Sequence, residues 1–199
     1  DAGESKRVLR RARRRQREAR QAAREVVRSS RYGLAMLRVA RWLCLPDDRD
    51  PAGQPGLEAL ASARLRKGAR RVAEGGRVVA TLDAAARHAL RIRVKRHRYA
   101  VEFLGGGFRG REVARHARRL AKAQEDLGLA NDCATAFAHV RELGPSPDLV
   151  AFARGWFAAR EAASIERAAR SLSRVAALRR FWKKRKPAPP PPDAGAAAG

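Results

Sequence analysis

His88, Arg91, Lys95 and Arg98 recur at i, i+3, i+7 and i+10. At about 100° per residue they form a single stripe along a helix. An imidazole, two guanidiniums and an ammonium in a row suit an anion that repeats its oxygens. Arginine offers a planar fork that grips phosphate with two hydrogen bonds, and lysine adds a point charge. Histidine donates a further bond, strengthened if a polyanion favours its protonation. Leu90, Val94 and Val101 run along one side of the stripe, and Ile92, Tyr99 and Phe103 along the other. An ordinary amphipathic helix has one apolar and one polar face. Two apolar flanks predict that both pack on neighbouring helices and that the stripe faces inward, onto a groove or channel. Like charges so aligned are unfavourable unless an anion answers them. The alternative is a solvated stripe with one flank exposed.

A second group lies downstream. Arg111, Arg115, Arg118 and Lys122 share one face, opposite Val113, Leu120 and Leu127. Gln124 and Asn131 fall on the core side and need partners if buried. Near the start, Lys6, Arg10, Arg13, Arg17, Arg20, Arg24 and Arg28 follow helical spacing against Val8, Ala12, Ala19 and Val26. Arg13 and Arg17 are the phosphate-contact candidates there, although a merely solvated face fits that helix equally well.

Other chemistries find little support. His97 is off the stripe, and His116 and His139 lack cysteine or carboxylate neighbours at ligand spacing, so no metal site is expected. Asp47, Asp48 and Asp50 form the only dense acidic group, within a proline-rich loop. Gly105-Gly106-Gly107 has no following Lys-Ser/Thr and reads as a helix terminator, not a phosphate loop. Binding without catalysis, and without a cofactor, is the expectation. Cys44 and Cys133 are far apart with no C-x-x-C pair, which excludes a disulfide scaffold and a cysteine-based zinc module.

These residues sit in a chain of 199 residues with 45 Lys+Arg against 20 Asp+Glu, a net charge of +25. Arginine dominates, 38 to 7 over lysine. Such a surplus favours a partner dense in phosphate. With 45% hydrophobic residues the chain can still build a core. Ala, Arg, Leu and Glu fill long segments and β-branched alternation is rare, so the fold class is all-α. The segments run at about 4–29, 32–45, 57–73, 78–104, 109–143 and 147–182. They are cut by the loop LPDDRDPAGQPG at 45–56, by Glu74-Gly75-Gly76, by the triple glycine and by Gly144-Pro145. The last 17 residues, 183–199, form a Pro/Ala-rich tail expected to be disordered. Short connectors imply antiparallel neighbours. Residues 57–182 are therefore expected to form a four-helix unit, and the helices of 1–44 need something to pack on.

The stretch R-H-A-L-R-I-R-V-K-R-H-R-Y at 87–99 resembles the H-x-L-R-I-x-x-K-x-x-R-Y signature of the conserved-histidine α-helical domain family, CHAD. L-A-K-A-Q-E-D-L-G-L-A-N-D at 120–132 is similar to that family's L-x-x-L-Q-x-x-L-G-x-L-N-D stretch, with Ala123 in place of a leucine. Residues 29–43 look like the segment that closes the family's first helical half. The resemblance implies two helical bundles related by pseudo-symmetry around a basic central channel that holds inorganic polyphosphate. His88, Arg91, Lys95 and Arg98 would line it, joined by Arg115, Arg118 and Lys122. The H-x-x-R-V and R-D-x-D-V motifs of a first half are absent. Residues 1–44 thus read as a remnant of that half, in a chain that looks truncated at its N-terminus. One channel wall is then missing, or supplied by a second copy in a homo-oligomer.

The expected partner is inorganic polyphosphate, with targeting to polyphosphate granules as an implied role. No apolar run nears the 18–20 residues of a membrane span, and no apolar stretch follows the Arg-rich start, so a cytoplasmic location is expected. General nucleic-acid binding is the competing expectation. Only Tyr99 lies close enough to the basic stripe to stack a base, and no zinc-finger, RNP or helix-turn-helix signature is present. The third reading is an interaction scaffold with solvated basic faces.

Overall fold

A computed structural model describes residues 2–45 and 56–182. Most of the proline- and aspartate-rich loop, including Asp47, Asp48 and Asp50, and the tail from 183 lie outside the described residues. Among the described residues six α-helices follow one another: α1 (Ala2–Arg28), α2 (Ser30–Cys44), α3 (Leu57–Arg77), α4 (Ala84–Leu104), α5 (Gly110–Glu142) and α6 (Pro147–Ala176). The all-α reading holds.

Residue chemistry sets several of the ends. The Asp83 carboxylate accepts from the Ala86 amide at 2.7 Å and starts α4, after a short 3-10 turn at Val79–Thr81. Ser146 caps α6 through the Leu149 amide, with Pro147 in the first turn. Gly144, at φ +63°, supplies the left-handed residue that closes α5. Three expected ends move. α4 starts at Ala84 and not at about 78, where Val78 leads into the 3-10 turn. Gly75 and Gly76 do not stop α3, which runs on to Arg77. They sit where neighbouring helices press closest: a Cβ on Gly75 would lie 2.4 Å from Leu90 Cδ1, and one on Gly76 3.1 Å from Leu172 Cβ. The last segment leaves helical geometry at Ala177, and Phe181 and Trp182 fold back into the core.

α3 packs on α4 and α6, and α5 packs on α4 and α6, so the four helices close a ring. The seams are antiparallel. Gly75 meets Leu90 and Gly68 meets His97 between α3 and α4; His88 meets Asn131 and Arg91 meets Gly128 between α4 and α5. Leu65, Leu90, Val94, Val101, Leu120, Leu127 and Leu172 fill the centre, each at 2% exposure or less. Burial of such side chains stabilises by about 1.5–3 kcal/mol apiece.

An ion pair and a buried hydrogen bond to a carboxylate brace the ring. Arg87 of α4 pairs with Glu161 of α6 and also donates to the Leu82 carbonyl. Asp126 of α5, 1% exposed, accepts from Ser171 Oγ of α6 at 2.6 Å. α5 and α6 outrun their partners: Asn131 already faces His88 near the start of α4, so the remaining length of α5 packs mainly on α6, with Arg15 of α1 reaching Glu142 at 3.1 Å. α1 leans on the turn closing that extension. Glu4 binds the Ser146 hydroxyl at 2.7 Å, and Arg11 donates to the Leu143 carbonyl at 2.7 Å. α2 follows α1 directly after Ser29, touches it only sparsely and buries no residue.

Candidate polyanion-binding face

α4 sets the site, because among the described helices it packs along its length only on α3 and α5. Leu90, Val94 and Val101 turn into the core. The stripe then falls along the outer edge of the α4–α5 seam, spanning ~15 Å from His88 to Arg98 at 1.5 Å per residue. The expected second packed flank is not there. Ile92 is half-buried, but Tyr99 is 39% and Phe103 85% exposed. No helix among the described residues covers that side. The stripe is thus an open face with one packed flank, not the wall of a closed channel.

Its members are held differently. His88 Nδ1 lies 3.0 Å from Asn131 Oδ1, which ties the imidazole to α5 and gives the polar Asn131 its partner. Arg91 is half-buried over Gly128; its Nε lies 3.4 Å from where a Cβ would sit. Arg98, 24% exposed at its side chain, stands 3.6 Å from Glu102 and stacks its guanidinium 4.9 Å from the Tyr99 ring centre. Lys95 is exposed, its ammonium 5.7 Å from the same ring. Tyr99 therefore shares its negative ring face between two cations. The Nε atoms of Arg91 and Arg98 are buried without hydrogen-bond partners, as is Gln124 Oε1 on the facing helix.

The second group splits from the first. Arg111, Arg115, Arg118 and Lys122 are all exposed on the outer face of α5, around the corner from the seam. Lys122 is already engaged, 3.1 Å from Asp126 and 3.2 Å from Glu125, and the bond to Asp126, then that to Glu125, raises its pKa. Arg13 and Arg17 are exposed on α1, in a purely basic cluster with Arg10, Arg11 and Arg14. α1 touches the bundle near Leu143 and Ser146, at the far end of α5 from Arg111 and Arg115. The ten candidates thus occupy three surfaces: the α4–α5 seam, the outside of α5, and α1.

The composition of the seam now meets its counterpart among known proteins. The family model described as CHAD domain matches residues 1–141. The chain belongs to the CHAD domain family. No curated protein and no solved structure matches it. The matched span of this CHAD domain takes in α1 to α4 and almost all of α5. α6 lies beyond it, yet α6 completes the ring by packing on α3 and α5. Among the described residues no group of three or more His, Cys, Asp or Glu could hold a metal, and no helix is long and apolar enough to cross a membrane.

One basic cluster escaped sequence reading. Arg64, Lys67 and Arg71 repeat at i, i+3 and i+7 on α3 and face Arg93 and Arg96 of α4. Their spacing was available; that α3 and α4 bring the two rows together was not.

Proposed function

We propose that this CHAD domain binds inorganic polyphosphate along the α4–α5 seam, without catalysing its turnover. The supporting observation is the pair of guanidiniums of Arg91 and Arg98, half-sunk in the seam with their Nε atoms unpartnered and His88 set beside them by Asn131. Positioned guanidiniums whose donors the protein answers only in part suit an oxygen-rich ligand. Family membership narrows that ligand to polyphosphate, and Lys95, Arg118 and Arg111 extend the cationic track outward. Arg115 and Lys122, and Arg13 and Arg17 on α1, contribute long-range field more than contact. In this reading the protein acts from the cytoplasm and can bring itself to polyphosphate granules. A second copy could add the wall that α4 leaves open beside Tyr99 and Phe103.

The test is titration with long-chain polyphosphate and with orthophosphate, for the wild type and for Arg91→Glu/Lys95→Glu. Linked phosphates act multivalently, so the polymer should bind orders of magnitude more tightly than the monomer, with affinity falling steeply as salt rises. The charge reversal should nearly abolish polymer binding while thermal stability holds or rises. Equal affinity per phosphate for the two ligands would defeat the proposal. General nucleic-acid binding is the competing outcome: it wins if duplex DNA displaces polyphosphate at matched phosphate concentration. If the reversal leaves polymer binding intact, the basic seam is only a solvated face of an interaction scaffold.

A further inference from the structure

The opposite edge of α4 carries a second constellation. Between α3 and α4 lies a cavity of about 120 Å³, room for one small oxyanion with its water. Arg64, Lys67 and Arg71 line it from α3, and Arg93 and Arg96 from α4. No carboxylate is among its lining residues, and none of these five cations forms an ion pair among the described residues. Its floor is His97, 3% exposed, with both ring nitrogens buried and without hydrogen-bond partners. The groove is deep there because residue 68 is glycine. A Cβ at that position would lie 2.4 Å from His97 Nδ1.

We propose that this groove is a second anion site, which takes a single phosphate group as free phosphate or as the end of a short phosphate chain. Five unanswered cations converging on one cavity repel one another, and an oxyanion relieves that repulsion. Their guanidiniums offer the forked donors that tetrahedral oxyanions accept. His97 supplies the element that solvated charge does not explain. Burial, with the charge of His116 adding to it, holds its pKa down to about 4, so the ring is neutral near pH 7 and carries one N–H. A buried donor without an acceptor is costly, and a phosphate oxygen in the groove would satisfy it. Ala100 is the apolar neighbour in the lining and there is no aromatic platform, which disfavours a stacked nucleobase. α4 thus presents one basic edge to α5 and another to α3. This inference stands apart from the polyphosphate reading of the first edge.

The experiment follows the imidazole NMR resonances of His97 during titration with inorganic pyrophosphate, orthophosphate and long-chain polyphosphate. In the wild type and in Arg91→Glu/Lys95→Glu, pyrophosphate and orthophosphate should both shift His97 saturably. In Arg93→Ser/Arg96→Ser, both changes on exposed positions, the shift should vanish or need at least tenfold more ligand. His97→Leu should weaken pyrophosphate binding about tenfold with the helical circular-dichroism signal retained. Should that variant lose its fold, the Arg93/Arg96 pair still decides the matter. A His97 resonance unmoved by pyrophosphate in the wild type overturns the proposal, as does an undiminished shift in Arg93→Ser/Arg96→Ser. A shift with the long polymer alone also overturns it, since the site would then be a stretch of polymer track. Failure of the seam reading is separate: it appears as polymer binding that survives Arg91→Glu/Lys95→Glu, whatever His97 does.

Discussion

The α3–α6 ring and the α1–α2 pair use the same vocabulary of arginine, alanine and leucine, yet only the ring has an interior. Leu65, Val94, Leu120 and Leu127 are sealed within it. In α2, Leu34, Leu37, Trp42 and Leu43 are 57–75% exposed, and no residue of that helix is buried. Composition decides that both regions are helical; the geometry of neighbours decides which of them is a core. The same contrast governs charge. Asp126 and Arg87 in the ring are enclosed and answered, whereas most arginines of α1 stand in water. A given substitution should therefore weigh very differently in the two regions.

The largest difference is expected from truncating leucines. Leu127→Ala, at 1% exposure, should cost about 2–5 kcal/mol in chemical denaturation. Leu37→Ala, at 66% exposure, should stay within about 0.5 kcal/mol. A comparable loss at Leu37 would mean that α2 is covered in solution, and the contrast between the regions would collapse. Next come the carboxylates. Asp126→Ala leaves Ser171 and the seam between α5 and α6 without their acceptor and should cost about 2–3 kcal/mol. Removing Glu18, whose 2.7 Å partner Arg14 is exposed, should leave the unfolding midpoint unchanged.

Acid should find the ring before it finds the α1–α2 pair. His97 is faced by His116 of α5, by Arg64, Lys67 and Arg71 of α3, by Arg93 and Arg96 of its own helix, and by Arg180 beyond α6. All of these disfavour a charged imidazole, and burial depresses the pKa of His116 as well. The unfolded chain binds a proton at His97 below about pH 6.5, whereas the folded chain refuses it until about pH 4. Stability should therefore fall by about 1.4 kcal/mol for each pH unit across that window. Urea titrations from pH 7 to 4 measure it, and His97→Leu should flatten much of the slope. An unchanged slope would assign the acid sensitivity to other groups.

Much of this was legible beforehand, and the exceptions share a cause. Helix content followed from propensity, and the start of α6 at Pro147 was expected, whereas α4 starts at Ala84, capped by Asp83, well past the expected Val78. The need of Asn131 for a partner was evident from its place on the core side, and His88 is that partner. What one helix's periodicity cannot supply is the number of its neighbours. Tyr99 and Phe103 look like a packed flank on a wheel, but α4 has partners only on the other sides. Gly75-Gly76 looks like a stop, but the glycines serve the approach of Leu90 and Leu172. His97 lies off the basic stripe, as its spacing says; its burial between α3 and the Phe181–Trp182 segment depends on a chain reversal no local pattern encodes.

The smallest expected effect tests how the two regions are joined. Glu4 accepts from both the Ser146 hydroxyl and its amide, and these bonds, the side-chain one first, lower its pKa. The contact is thus in place above the ordinary carboxylate range and is lost as pH falls through the lowered value. Ser146 also caps α6, so Ser146→Ala should cost about 1 kcal/mol globally and loosen α1 as well. Glu4→Gln should separate the two roles. It should raise hydrogen exchange in the first turns of α1, leave α6 protected, and not move the global midpoint. Equal loosening of α1 and α6 in Glu4→Gln would mean that the α1–α2 pair and the ring unfold as one unit, and that the pair's exposed leucines are worth more than their surroundings allow.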